Sequence, residues 1–277
     1  MIGEPIHFRW LGVAGIELST DDEVLAIDPF FSRPPFRRMW FGRVVPDRPL
    51  VAAKLPRCDF VLITHAHWDH LMDVPEVARN TGAVALGSRN SCRLLSILGV
   101  PEEQVHEIRA GDDFVVGEFQ LQVLSARHGT AASQPIFSGL PSQELHLPPG
   151  VRDYRMDVNF SFLIEVGGHR LLDWNGEDPE PAVQADLLFV DPQRKPRYYD
   201  ALLRQVRPRI VIPIHWDDFF RPLSKPLRPI FAPPGWTVPP LHHVNLADFK
   251  HTLRRVAPTT RVFLPEIFHP YRLDHLV

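Results

Sequence analysis

The sequence predicts an α/β fold, and three observations carry that expectation. Apolar runs of strand length recur along the whole chain of 277 residues. Between them lie segments whose apolar residues fall at helical spacing. Several runs, in both halves of the chain, end directly in histidine or acidic side chains.

Ile6 to Trp10 and Gly15 to Leu18 read as short strands about a glycine turn, and Val24 to Ile27 as a third that ends in Asp28-Pro29. Asp28 reads as a structural carboxylate or as support for a ligand rather than a ligand itself. Prolines then become dense in three stretches, 29–56, 135–149 and 222–240, which are expected to be long ordered loops, because proline interrupts helices and central strands alike. Loops of such length usually serve function. The first interleaves Phe30, Phe31, Phe36, Met39, Trp40 and Phe41 with Arg33, Arg37, Arg38 and Arg43. It reads either as an aromatic and cationic flap over a substrate with apolar and anionic parts, or as a cover for the core.

The stretch that organises the chain is FVLITHAHWDH, residues 60–70. A strand over Phe60 to Ile63 ends in a loop carrying His65, His67, Asp69 and His70. Imidazole and carboxylate together suit zinc and its first-row neighbours, whereas calcium or magnesium would call for oxygen alone. If the backbone stays extended past the strand, His65 and His67 share one side. Asp69 and His70, beyond the turn, reach a second point nearby, so one segment can seed two metal sites.

Downstream, Val74 to Thr81 reads as a helix, Ala83 to Gly87 as a strand, and Ser91 to Leu98 as a helix stopped at Gly99. Glu103 to Ile108, Asp113 to Val116 and Phe119 to Ser125 read as strands, the last running into His128. Residues 130–154 form a second flap, in which His146 is expected in solvent. Phe160 to Val166 and His169 to Trp174 make a hairpin about Gly167-Gly168. Asp186 to Asp191 is a strand with acids at both ends, and Ala201 to Val206 a helix closed by Pro208. The buried strand Ile210 to Ile214 ends in His215-Trp216-Asp217-Asp218, the last two acids facing solvent or supporting the site. Phe231 and Trp236 are expected to line a cleft. His242 and His243, adjacent on an extended segment, face opposite ways and could not share an ion. A helix over 246–256 and a strand over Val262 to Leu264 follow; the tail beyond Pro265 carries no pattern.

With 44% hydrophobic and 23% charged residues, the composition is that of a soluble globular protein. A formal charge of −3 provides no basic footprint, so nucleic acid is not an expected partner. Cys58 and Cys92 lack the spacing of a zinc knuckle or a disulfide framework and read as buried thiols. No stretch is apolar enough to span a membrane, and the opening MIGEPIHFRW lacks the pattern of a secretory leader, so a cytoplasmic location is expected.

The pattern His65-Ala66-His67-Trp68-Asp69-His70 resembles the signature of the metallo-β-lactamase superfamily. The opening Trp10-Leu11-Gly12-Val13-Ala14-Gly15, Asp28-Pro29-Phe30 and Ile212-Pro213-Ile214-His215 are similar to the branch that includes ascorbate-6-phosphate lactonase and N-acyl phosphatidylethanolamine phospholipase D. The resemblance covers nearly the whole chain and implies a four-layer αβ/βα sandwich, as one domain over 1–277. It implies that His128 completes a three-histidine site with His65 and His67, and that His215 joins Asp69 and His70 at a second. The superfamily normally ends the hairpin with Gly-Asp, whose acid bridges two metals. Here the stretch is LLDWNGED, residues 171–178, and Asp173, Glu177 and Asp178 compete for that role. Asp173 is favoured, since a carboxylate among bulky apolar neighbours calls for a cation.

This set implies a metal-dependent hydrolase with two zinc ions, manganese or iron being alternatives, and with Asp69 in the catalytic machinery. Two cations about 3.5–4 Å apart acidify a shared water, which attacks an ester, lactone or phosphodiester. The expected partner is a small-molecule substrate, and the arginine-rich flap favours an anionic one. A nuclease would use the same metals, but the basic exosite is missing. A non-hydrolytic metal-binding protein, or a weak catalyst with one metal, is the other reading.

Overall fold

Two seven-stranded sheets lie face to face, and each is antiparallel in its early strands and parallel in its later ones. The structure, a computed structural model, describes residues 5–39, 42–128, 137–141, 145–231 and 243–277. Trp40, Phe41, Trp236 and His242 lie outside the described residues.

The first sheet begins with the meander β1 (His7–Gly12), β2 (Gly15–Ser19) and β3 (Val24–Ile27). It continues in parallel through β4 (Phe60–Leu62), β5 (Val84–Gly87) and β6 (Val105–Glu107). The second sheet runs antiparallel through β7 (Asp113–Val116), β8 (Phe119–Ser125), β9 (Phe160–Val166) and β10 (His169–Trp174). Parallel strands β11 (Leu187–Val190), β12 (Ile210–Pro213) and β13 (Arg261–Val262) complete it. The hairpin β9–β10 turns at Gly167 and Gly168, whose φ of 55° and 80° only glycine adopts without strain.

β3, β11 and β12 are buried at every position, the mark of strands covered on both faces. Alternation decides which core each side chain joins. Leu25, Ile27, Phe162, Phe189 and Ile212 meet between the sheets. Ala26, Val61 and Ile63 face outward against α1 (Arg48–Lys54), α3 (Val74–Thr81) and α4 (Arg89–Ile97), through Val51, Val77 and Leu94. Leu172, Leu188 and Val211 do the same against α5 (Pro196–Val206) and α6 (Leu246–Val256). Helix, sheet, sheet and helix are therefore four layers around three cores, the αβ/βα sandwich the sequence leads one to expect.

Several segments differ from expectation: a short helix, Trp68–Leu71, lies where the sequence reads as a loop, the helix ending at Val206 starts at Pro196 rather than Ala201, and the last parallel strand is Arg261–Val262 rather than Val262 to Leu264. The first proline-rich stretch is not all loop: α1 lies within it, started by Asp47, whose carboxylate accepts from the Leu50 N–H at 3.2 Å, with Pro49 in the first turn where its missing N–H costs nothing. The patternless tail pairs β14 (Tyr271–Arg272) with β1 at the sheet edge and ends in α7 (Leu273–Leu276). Among the described residues no helix is long and apolar enough to cross a membrane.

Candidate metal centre

The side chains of interest sit at or just past the carboxyl ends of strands in both sheets, at one edge of the sandwich. Beyond β4, Thr64 is fixed by the buried Asp28 at the tip of β3: Asp28 Oδ1 accepts from the Thr64 N–H at 2.9 Å, and Oδ2 takes the Thr64 hydroxyl. The same Oδ2 engages His70 Nδ1 at 2.6 Å, which turns His70 Nε2 away from Asp28. The short helix α2 (Trp68–Leu71), begun at His67, buries Trp68 and Leu71 and thereby sets Asp69 and His70.

Two groups of donors result. One ligand atom each from His65, His67 and His128 lies within 4.8 Å of the others, and so do atoms of Asp69, His70 and His215. His65 Nδ1 meets the Thr64 hydroxyl at 3.0 Å, leaving its Nε2 to face His67 Nδ1 at 2.9 Å. The groups touch, since the His65 and His70 rings are 4.0 Å apart, and His70 stacks on His215 at 5.5 Å. All six residues of the expected triads are brought together.

Burial, reinforced by the imidazoles of His70, His67, His128 and His215, drives the His65 pKa well below the usual histidine value. Burial likewise pulls His67 down to about 3, with Asp69 opposing and His128 and His70 adding to the effect. Both rings are thus neutral near pH 7, with lone pairs available. In the second group burial opposes ionisation of Asp69, yet the charge of His70 and the hydrogen bond and charge of His215 outweigh it and hold the carboxyl well below its usual range. Burial also opposes a charge on His215, but the hydrogen bond to Asp69 and the charges of Asp69, Asp191 and Asp217 raise it to about 9.

The backbone is unusual here too. Val13, Asp28, Arg33 and His215, none a glycine, have φ of 51°, 43°, 39° and 58°. Left-handed backbone at such residues costs on the order of 1–3 kcal/mol each and persists where surroundings enforce it. A buried chain of contacts does so: Arg33 Nη2 pairs with Asp217 Oδ2 at 2.6 Å, the Val13 N–H donates to Asp217 Oδ1 at 2.8 Å, and the His215 N–H donates to the Val13 carbonyl at 2.7 Å. Asp217 and Asp218 are therefore buried, not solvent-facing.

The three acids proposed for a bridge fare differently. Asp173 is buried at the end of β10; its Oδ2 accepts from Asn175 Nδ2 at 3.0 Å, and its Oδ1 has no hydrogen-bond partner among the described residues. Burial, then the charge of Asp28, pushes its carboxyl well above the usual value, against the pull of Asn175 and His215. Asp173 belongs to neither donor group. Glu177 accepts from Arg194 Nη1 at 3.1 Å, and Asp178 is an exposed partner of Arg127 at 2.7 Å. The neutral imidazoles of His65 and His67 and the ionised Asp69 fit a metal, since lone pairs and negative charge converge in the two groups, and the orphaned Asp173 oxygen is a further buried acceptor that a cation would satisfy.

None of Arg33, Arg37, Arg38 and Arg43 is among the residues that line the cavity beside the donor groups. Arg33 is buried against Asp217, Arg43 Nη1 donates to the Pro148 carbonyl at 2.5 Å and to that of His146, and Arg37 and Arg38 are on an exposed turn. His146 is exposed as expected, and His243 donates from Nδ1 to the Pro229 carbonyl at 2.7 Å, away from the donor groups. Cys58 is buried and Cys92 partly so, both unbridged.

A cavity of about 190 Å³ opens from His65, His70, His128 and His215. Phe231 lines it, as expected. Trp174, Tyr198, Phe219, Ile230 and Arg194 also line it, and nothing in their local sequence marks them, because they converge only when β10, α5 and the loop after β12 fold together.

Residues 24–172 match the family model described as Beta-lactamase superfamily domain. A UPF0173 metal-dependent hydrolase of Anaeromyxobacter dehalogenans is 26% identical over 227 residues, 76% of this chain and 74% of that protein. Igni18, a metallo hydrolase of the hyperthermophilic archaeon Ignicoccus hospitalis, superposes with a TM-score of 0.61 at 17% identity, covering 96% of this chain and 97% of that one. CmlA, a diiron β-hydroxylase of Streptomyces venezuelae, does so with a TM-score of 0.60 at 14% identity, covering 98% of this chain and 55% of that one. At these identities the structural likeness speaks to fold alone.

Proposed function

The chain belongs to the metallo-β-lactamase superfamily, and we propose that this metal-dependent hydrolase cleaves an ester, lactone or phosphodiester with two metal ions held by its paired donor groups. The observation that carries the reading is the approach of three donor atoms to within 4.8 Å in each of two adjacent groups drawn from both sheets. His65, His67 and His128 would hold one ion, and Asp69, His70 and His215 the other, with the buried Asp173 as the acid assigned to serve both. Zinc comes first on donor type, with manganese or iron as alternatives. CmlA, matched over 55% of its own length, is a diiron β-hydroxylase, which keeps iron among the alternatives.

Bound divalent ions would acidify water to near neutrality and polarise the scissile bond. The protein's own part is positional. Asp28 and Thr64 fix the rings of His70 and His65, so that each presents a chosen nitrogen. Asp69, whose carboxyl the charges of His70 and His215 hold below its usual range, is assigned to hold and orient. No serine or cysteine nucleophile is required.

Elemental analysis of the purified chain, with hydrolysis of bis-p-nitrophenyl phosphate and a panel of lactones before and after chelation, tests the reading. His67→Ala is expected to lose one ion and most turnover; unchanged metal content and unchanged turnover would refute the assignment.

A further inference from the structure

The cavity beside the donor groups has a chemical character of its own. Besides the histidines, Trp174, Tyr198, Ile214, Phe219, Ile230 and Phe231 supply its apolar lining, beside the polar Asn175, Asp191, Gln193 and Arg194. Phe219 is held edge-on against Trp68 at 5.7 Å and lies 5.7 Å from the His215 ring, so the apolar wall begins at a candidate ligand. Phe231, stacked on His243 at 3.8 Å, carries that wall to the rim. At about 190 Å³ the space is that of one ring with a small substituent, since an apolar cavity of about 150 Å³ already admits benzene.

Charge is arranged against a charged guest. Among the described residues Arg194 is the one Lys or Arg lining the cavity, and its guanidinium lies 3.1 Å from Glu177 and 3.9 Å from Asp191. Two carboxylates offset its single charge, so it offers no net positive field to an anionic tail. A charged group pushed against these aromatics would exchange water for apolar carbon.

We infer that this cavity seats the non-reacting part of the substrate, and that this part is a compact, uncharged aromatic or branched apolar group. The inference rests on the hydrolase reading for which end of the substrate faces the metals, and it narrows that reading to esters or lactones of apolar acids or alcohols.

The test uses the full metal-loaded chain and two matched sets. Binding of the inert amides acetamide, acetanilide and 4-acetamidobenzenesulfonate is measured by calorimetry, and kcat/KM is measured for phenyl acetate and for 4-acetoxybenzoate, which adds a carboxylate at the far end of the ring. Acetanilide is expected to bind at least tenfold tighter than the other two amides, and phenyl acetate to exceed 4-acetoxybenzoate at least tenfold in kcat/KM. Phe231→Ala, at a half-exposed position, is expected to reduce the acetanilide preference several-fold with metal content unchanged. Equal binding of the three amides, or equal turnover of the two esters, overturns the inference and leaves the hydrolase reading intact. Preferential acetanilide binding with no metal-dependent turnover of ester, lactone or phosphodiester overturns the hydrolase reading and upholds the apolar pocket.

Discussion

His215 Nε2 stands 3.3 Å from Asp69 Oδ2, an ion pair that joins the tip of β12 in one sheet to α2 beside the other. A metal ion at the second donor group must displace the proton that makes this pair. With His215 raised to about 9 by Asp69, the metal-free protein carries that proton at neutral pH. Binding therefore releases about one proton at pH 7, and apparent affinity rises about tenfold per pH unit until pH approaches 9. Calorimetry of metal binding in buffers of different ionisation enthalpy measures the count; a value near zero at pH 7 would show that His215 takes no part.

The same pair sets how metal-free stability depends on pH. His215 has a folded pKa of about 9 against 6.5 for the unpaired side chain, so its contribution is complete below pH 6.5 and is lost as pH rises through about 9. Asp69 reports the same interaction from the acid side: its depressed pKa contributes above the unfolded value of 3.8 and is lost as pH falls through the folded value. The midpoint of thermal unfolding of chelated protein should fall between pH 7 and 9.5, while metal-loaded protein, whose His215 is already neutral, should show little of this fall. Parallel melts across that range make the comparison.

Asp28 touches His70 Nδ1 at 2.6 Å and thereby selects which nitrogen His70 presents to the second group. Carboxylates in this position typically contribute 10–100-fold in metal affinity. Asp28→Asn is expected to weaken the ion at the second group by about that factor and the other ion less, because Asp28 touches His70 directly but reaches His65 only through the Thr64 hydroxyl. Equilibrium dialysis against limiting metal distinguishes loss of one ion from loss of both.

The bridge is decided by comparing Asp173→Asn with Glu177→Gln. Asp173 has a buried oxygen without a partner, whereas Glu177 is committed to Arg194. Metal stoichiometry should fall in the Asp173 variant and hold in the Glu177 variant. The reverse result would reassign the bridging acid.

How much of this is legible in the sequence depends on the range of the contacts. His65, His67, Asp69 and His70 are visible because they crowd one segment after an apolar run, and His128 and His215 because the family resemblance implies a ligand just after each of the strands they follow. The hairpin β9–β10 falls where its glycines put it. The helix α1 is hidden by prolines that happen to suit its first turn, and β14 is too short to carry a period. The cavity wall and the Arg33–Asp217 pair are beyond reach, since the wall gathers side chains from separate elements between Trp174 and Phe231 and the pair joins residues 184 apart, and neither leaves a local pattern.

That pair supports the last prediction. Arg33 and Asp217 are almost wholly buried, with side-chain exposures of 1% and 0%, and the guanidinium occupies the space that a side chain at Gly12, φ 94°, would need. Removing one partner of such a pair leaves an uncompensated charge and costs about 3–5 kcal/mol, whereas replacing both by neutral groups of similar shape is far milder. Arg33→Met should therefore lower the unfolding midpoint by roughly 6–20 °C, at about 2–4 °C per kcal/mol for a chain of this size. It should also loosen Val13, whose carbonyl holds the His215 N–H at 2.7 Å, so that metal affinity at the second group drops with stability. Arg33→Met with Asp217→Asn should recover much of the midpoint. If the double variant melts no higher than Arg33→Met alone, the cost lies in lost packing rather than in the stranded carboxylate.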